Sequence, residues 1–112
     1  MDKADIPFLS ASQLSDLIKK REVSSVEAVE AYLDRIDSLN GKLFAYLTVC
    51  RDEALQAAKE ADQALAQDRD IGPMHGVPVA VKDQIYSAGI RTTGGSPIFN
   101  DVIPNEAHRQ RT

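Results

Sequence analysis

Gly72-Pro73-Met74-His75-Gly76-Val77-Pro78-Val79-Ala80-Val81-Lys82-Asp83 is the stretch whose reading decides the fold of this 112-residue chain. Val77, Val79 and Val81 alternate with Pro78 and Ala80, so an extended segment here is apolar on both faces. That pattern predicts a strand buried on both sides, as in an α/β sheet. Lys82 and Asp83 follow at its carboxyl end, the edge at which open α/β sheets form their ligand crevices. A lysine part-covered by Val79 and Val81 has its charged form disfavoured by desolvation and can act as a general base near neutral pH. The plainer expectation is a strand-end lysine that turns to water and limits edge association.

Upstream, residues 10–67 read as helical. Leu14, Leu17 and Ile18 lie at i, i+3, i+4 behind Ser12, which predicts a short amphipathic helix from about residue 12 to 21. Ser24-Ser25-Val26-Glu27 has capping-box spacing, and Val26, Val29, Leu33, Ile36 and Leu39 form one apolar face behind it. Asn40-Gly41 offers a left-handed residue to close that helix. Phe44-Ala45-Tyr46-Leu47-Thr48-Val49 is rich in aromatic and β-branched residues and predicts a short strand. From Arg51 to about Gln67 alanine dominates, and Ala54, Leu55, Ala58, Ala61, Ala64 and Leu65 suit a close-packed helix. Its charged residues Asp52, Glu53, Lys59, Glu60 and Asp62 are assigned to a solvated face. Asp68-Arg69-Asp70 then opens a polar loop.

Four of the five prolines and five of the six glycines lie in residues 72–104, so this part of the backbone is bent to a particular shape. In Gly89-Ile90-Arg91-Thr92-Thr93-Gly94-Gly95-Ser96, two hydroxyls, paired glycines and a serine can shape a loop that approaches a substrate closely. Alone, Gly-Gly-Ser is more often only a turn. No G-x-x-x-x-G-K-[ST], G-x-S-x-G or S-x-x-K occurs, which removes the phosphate loop and two serine-hydrolase motifs. His75 is a loop donor with a structural role, because no partner His, Cys or acid stands at metal-ligand spacing. The sequence implies no metal and no cofactor. Cys50, the one cysteine, follows an apolar run and reads as a structural thiol in a reducing compartment.

With 43% hydrophobic and 27% charged residues the chain has the balance of a globular protein rather than a disordered one. A net charge of -4 without a clustered Lys/Arg stripe gives no basis for direct nucleic-acid contact. No apolar run approaches the roughly 20 residues needed to cross a bilayer. The start Met1-Asp2-Lys3-Ala4-Asp5 leads into no signal core, so no membrane partner and a cytoplasmic location are expected.

The run 72–83, Gly89 and Thr92-Thr93-Gly94-Gly95-Ser96 together strongly resemble the amidase signature family. That family shows G-P-L-H-G-[IV]-P-[IV]-x-[IV]-K-D and then G-x-x-T-T-x-G-S, and the agreement runs across residues 72–96 without a gap. The resemblance implies an α/β fold with a large mixed sheet between helices. Residues 1–112 would supply the N-terminal part of that single domain, its helices from 10–67 and its first strands and signature loop from 72–104, as an incomplete domain. It also implies hydrolysis of carboxamide C–N bonds through an acyl-enzyme. In that mechanism a nucleophilic serine is activated by a second serine in a cis peptide, itself activated by a lysine. Lys82 matches the lysine. Thr93, Gly94, Gly95 and Ser96 match a segment near the active site and are carried over as substrate-binding lining.

The two serines of that mechanism belong to a Gly/Ser-rich segment further downstream, and neither Ser87 nor Ser96 lies in such a context. The tail His108-Arg109-Gln110-Arg111-Thr112 lacks the apolar stripe of the family's next helix, so the expectation is a truncated portion, inactive alone. Such a portion should be partly ordered or self-associating without a complementary C-terminal fragment. Its partner in the full-length form would be a small-molecule amide substrate. Members of the family include the A component of glutamyl-tRNA amidotransferase, so a fragment of a glutamine-dependent tRNA amidotransferase is a second expectation. A third, from a different class, is a non-catalytic helical module whose apolar stripes form a homo-oligomer.

Overall fold

The computed structural model describes residues 1–69, 72–85 and 88–105; Ser87 and the polar tail 108–112, both singled out above, lie outside the described residues, as do Asp70 and Ile71. The chain forms two compact units, Met1–Pro78 and Val79–Thr112.

The first unit opens with a short 3-10 helix, Lys3–Phe8, that carries Ile6 into the core. Helix α1, Ala11–Lys19, starts from Ser10, two residues before the serine expected. Ser10 Oγ accepts the Gln13 N–H at 3.1 Å while Gln13 Oε1 accepts the Ser10 N–H at 2.9 Å, a reciprocal pair that satisfies two groups at the helix start. The expected stripe is the buried one. Leu14 and Ile18 join Ile6, Val23, Ala28 and Ala31 in one cluster, with Leu17 at its edge. Burying each of the larger side chains contributes about 1.5–3 kcal/mol.

Helix α2, Ser25–Leu43, and helix α3, Arg51–Ala66, pack together over Val29, Leu33 and Ala58, flanked by Val26, Ala54 and Leu55. Gly41 does not end α2. The helix runs on to Leu43, and Phe44 takes the left-handed cap at φ 51°, its N–H donating to Asn40 O at 2.8 Å. The Asn40 side chain accounts for the later stop, because it both donates to Tyr46 O and accepts the Tyr46 N–H at 2.9 Å.

No β-strand forms among the described residues, which corrects both strand expectations. Residues 44–49 are loop, with Phe44 and Leu47 exposed. Residues 77–81 are extended loop in which Val79 is 75% and Val81 54% exposed; Val77, on the other side of Pro78, packs against the first core cluster. The mixed sheet of the α/β reading is therefore not formed among the described residues. A strand exists by hydrogen bonding to a neighbour, and neither segment has one among the described residues. Apolar alternation states what a segment is suited to bury, not that the cover is present.

In the second unit, residues 89–92 run antiparallel to 102–104 through Gly89 N–H to Pro104 O and Thr92 N–H to Val102 O, both 2.9 Å. A 3-10 turn, Pro97–Phe99, reverses the chain between them, capped by Ser96 Oγ. Arg91 braces the reversal, donating through Nε to Asn100 O and through Nη2 to Asn100 Oδ1, each at 2.5 Å.

Candidate functional site

The signature stretch is anchored by its first half. Ser15 on α1 donates its hydroxyl to Pro73 O, Ser25 at the start of α2 donates to Gly76 O at 2.6 Å, and His75 Nε2 donates to Ala61 O on α3 at 2.8 Å. Three helices thus hold one turn, α1 and α2 through buried serines whose hydroxyls are satisfied by the bond and α3 through a main-chain carbonyl. Gly76 is required here. Its φ is +79°, and a Cβ would lie 3.2 Å from Ile18 Cγ2 and 3.3 Å from Ser25 Cβ. The structural role read for His75 agrees with this contact.

Asp62 corrects its assignment to the solvated face. Its two carboxylate oxygens accept the N–H groups of Ser25 at 2.7 Å and Val26 at 3.1 Å, so α3 caps α2. Ser24 Oγ accepts the Glu27 N–H at 3.0 Å as the spacing predicted. The return bond from Glu27 to the Ser24 N–H does not form; the carboxylate from α3 instead meets the next two N–H groups, those of Ser25 and Val26.

Lys82 is exposed, and its side chain makes no hydrogen bond or ion pair among the described residues. The cover expected from Val79 and Val81 is absent, since both are themselves exposed. Its carbonyl accepts the Ile85 N–H at 3.0 Å, so the chain turns directly after it. The neighbouring Asp83, to which the sequence pattern assigned no role, is the organising residue. Asp83 Oδ1 accepts the Thr93 N–H at 2.8 Å, Oδ2 accepts the Thr93 hydroxyl and the Gly95 N–H, and its main-chain carbonyl accepts the Gly94 N–H at 2.9 Å. The Thr93 hydroxyl, then the Thr93 N–H, hold the Asp83 carboxyl below its ordinary pKa; desolvation opposes them, and the Gly95 N–H and the Arg91 charge add to them. Thr92 and Thr93 are buried, at 4% and 3% exposure, while Gly94 and Gly95 are exposed.

The structure therefore brings Lys82 together with Thr93, Gly94 and Gly95 through Asp83. The three loop amides point inward to Asp83, and Ser96 caps the following turn by accepting the Ile98 N–H at 3.3 Å. A carboxylate 10 residues ahead of Thr93 in a Thr-Thr-Gly-Gly loop was the available sequence signal, because an anion needs the convergent donors that such a loop supplies. No group of three or more His, Cys, Asp or Glu able to hold a metal occurs among the described residues. A groove of about 210 Å³ lies in the first unit, lined by Tyr32, Arg35, Ile36, Leu39, Leu43 and Tyr46 among others; none of the signature residues lines it. No helix among the described residues is long and apolar enough to cross a membrane.

A docked turn, an exposed lysine and a carboxylate-held Thr-Thr-Gly-Gly loop follow one another in a stretch that lies within a family match. The sequence profile described as Amidase matches residues 27–108, and the chain belongs to that family. Curated relatives include the A component of the glutamyl-tRNA(Gln) amidotransferase of Carboxydothermus hydrogenoformans, 44% identical over 100 residues, and that of Geobacter sulfurreducens, 49% identical over 96. These matches cover 89% and 86% of this chain but 21% and 20% of the relatives, so the chain spans about a fifth of the length of the curated proteins it matches. Among solved structures, one chain from a study of a vestigial protein complex and the evolutionary origins of an s-triazine catabolic enzyme superposes with a TM-score of 0.82. It covers 88% of this chain and 22% of the larger one at 22% identity, a likeness of fold.

Proposed function

We propose that this chain is the N-terminal portion of an amidase-type hydrolase of carboxamide C–N bonds, with Lys82 as the general base of a Ser-cisSer-Lys mechanism. The observation that carries the reading is the junction of Lys82 with Asp83, whose carboxylate gathers the loop Thr93-Gly94-Gly95 beside it. In this mechanism the lysine amine takes a proton from the bridging serine, which takes one from the nucleophile as it attacks the carboxamide carbon. Lys82 supplies the base alone. Without nucleophile and oxyanion donors the 112-residue chain is inactive, and the mixed sheet is completed only when further polypeptide pairs with residues 77–81. Exposure of Val79, Val81, Ile98 and Phe99 supports that reading, since apolar groups of this size are ordinarily covered. The partner is a complementary C-terminal portion or, failing that, a second copy; the location is cytoplasmic.

The names of the curated relatives favour a second reading, a portion of the component that serves an amidotransferase acting on glutamyl-tRNA(Gln). The two readings share Lys82 and differ in where the released ammonia goes.

The test is amide hydrolysis by the purified chain and by a longer protein containing it. The chain alone should show no turnover, and Lys82→Ala in the longer protein should lower kcat by about 10²–10⁴-fold. Hydrolysis by the 112-residue chain that Lys82→Ala abolishes would overturn its inactivity. An unchanged rate in the longer Lys82→Ala protein would overturn the role of the lysine.

A further inference from the structure

Asp83 is held at both its side chain and its main chain by one loop. Its carboxylate receives three donors from the loop, the Thr93 hydroxyl and the N–H groups of Thr93 and Gly95, while its carbonyl receives the Gly94 N–H. We propose that Asp83 is a positioning residue: gripped at side chain and main chain by the loop 93–95, it fixes the peptide that joins it to Lys82 and so sets where the lysine leaves the backbone. The meaning of this for catalysis rests on the reading of Lys82 given above; the geometry does not.

Three observations carry it. Thr93 is 3% exposed, so its hydroxyl and N–H need internal acceptors, and Asp83 provides both. Gly94 and Gly95 have φ of +60° and +76°, the left-handed turn that aims successive N–H groups at one anion. That anion is the chain's own. The loop amides are engaged before any substrate arrives, so the loop acts as a clamp on residue 83 rather than as a set of oxyanion donors. Finally, the Lys82 carbonyl accepts the Ile85 N–H, so the peptide between 82 and 83 is fixed from both sides while the lysine side chain stays exposed. The charged group that acts on the carboxylate is Arg91, which favours its ionised form.

The experiment is amide NMR on the full 112-residue chain, which needs no enzymatic activity and so fails independently of the hydrolase reading. The Thr93 and Gly95 amide protons should titrate together with one midpoint below the ordinary aspartate value, and Asp83→Asn should abolish that titration. In Asp83→Ala the backbone order of the Lys82 amide should fall, with at least partial recovery in Asp83→Glu. Amides of the first unit report whether the fold persists. If Asp83→Ala unfolds the second unit, Thr93→Val removes one donor of three and should raise the shared midpoint and loosen the Lys82 amide. A titration that survives in Asp83→Asn overturns the proposal. So does a Lys82 amide that keeps its order when the loop amides are released, since Asp83 would then shape only the turn.

Discussion

Replacing Asp62 by alanine should destabilise the first unit far more than removing a surface charge does. One carboxylate from α3 accepts the N–H groups of Ser25 and Val26, and Ser24 Oγ accepts that of Glu27, so three orphan donors at the start of α2 are met, two of them by Asp62. Loss of a capping side chain costs about 0.5–2 kcal/mol. An acid near a helix N-terminus contributes about 0.3–1 kcal/mol through the dipole. Ser25 is 2% exposed, so water cannot simply replace the lost acceptor, and a buried unsatisfied donor costs about 1–3 kcal/mol. These figures describe the same carboxylate and overlap, which puts Asp62→Ala near ~2 kcal/mol, against about 0.5 kcal/mol or less for an ordinary surface site. Urea unfolding followed by far-UV circular dichroism reads it directly. With m of about 1 kcal/mol/M the midpoint should fall by about 2 M for alanine and by about half as much for asparagine, which keeps one acceptor oxygen. An unmoved midpoint with an unchanged m would refute the cap and return Asp62 to the solvated face.

Two glycines of the first unit should respond in opposite directions in the same assay. Gly76→Ala should destabilise by at least about 1–2 kcal/mol, because its φ is +79° and Ile18 and Ser25 crowd the new methyl, whereas Gly41→Ala, inside α2 with open space around it, should stabilise by about 0.5–1 kcal/mol. Asp83 has a depressed carboxyl pKa, so its contribution is complete above the unfolded-state value and is lost as pH falls through the folded one. Hydrogen exchange at Thr93 and Gly95 should therefore be protected at neutral pH and lose protection, relative to the intrinsic rate, only in acid below the ordinary aspartate range. Cys50 has its thiol pKa raised, first by burial and then by Glu53. Alkylation at mildly alkaline pH should be slower for the folded chain than in urea, and equal rates would show that the thiol is fully open.

The helices were legible because each carries its own signal. Leu14, Leu17 and Ile18 sit at helical spacing, and the structure buries Leu14 and Ile18 with Leu17 at the edge of the same cluster. Boundaries were less legible because short-range side-chain bonds, which the apolar stripe does not encode, set them: Asn40 holding Tyr46 carries α2 past Gly41, and Ser10 rather than Ser12 finds Gln13. Asp62 was misassigned because its neighbours Glu60 and Lys59 are solvent-facing, while its own partners lie 36 and 37 residues away in sequence. Lys82 could be picked out from the motif, and its exposure agrees with the plainer of the two expectations; the cover from Val79 and Val81 is what does not form. Burial of a strand depends on which segments lie against it, and no pattern within residues 77–81 carries that information.

The division of labour along 72–96 accounts for both the success and the miss. Its first half is tied to α1, α2 and α3 by Ser15, Ser25 and His75. Its second half is tied to itself by Asp83. Between them Val79 and Val81 face solvent, and burying each would contribute about 1.5–3 kcal/mol to whatever covers them. Order at Asp83 and at the docked turn is therefore supplied from within the chain, whereas Val79 and Val81 are left exposed. On the proposed reading the Asp83 clamp sets the direction of Lys82, and cover over the exposed Val79 and Val81 would shield its amine from water. On that reading a lysine set in direction but still solvated is preorganised only in part, and cover over Val79 and Val81, rather than any rearrangement of the Asp83 clamp, would complete it.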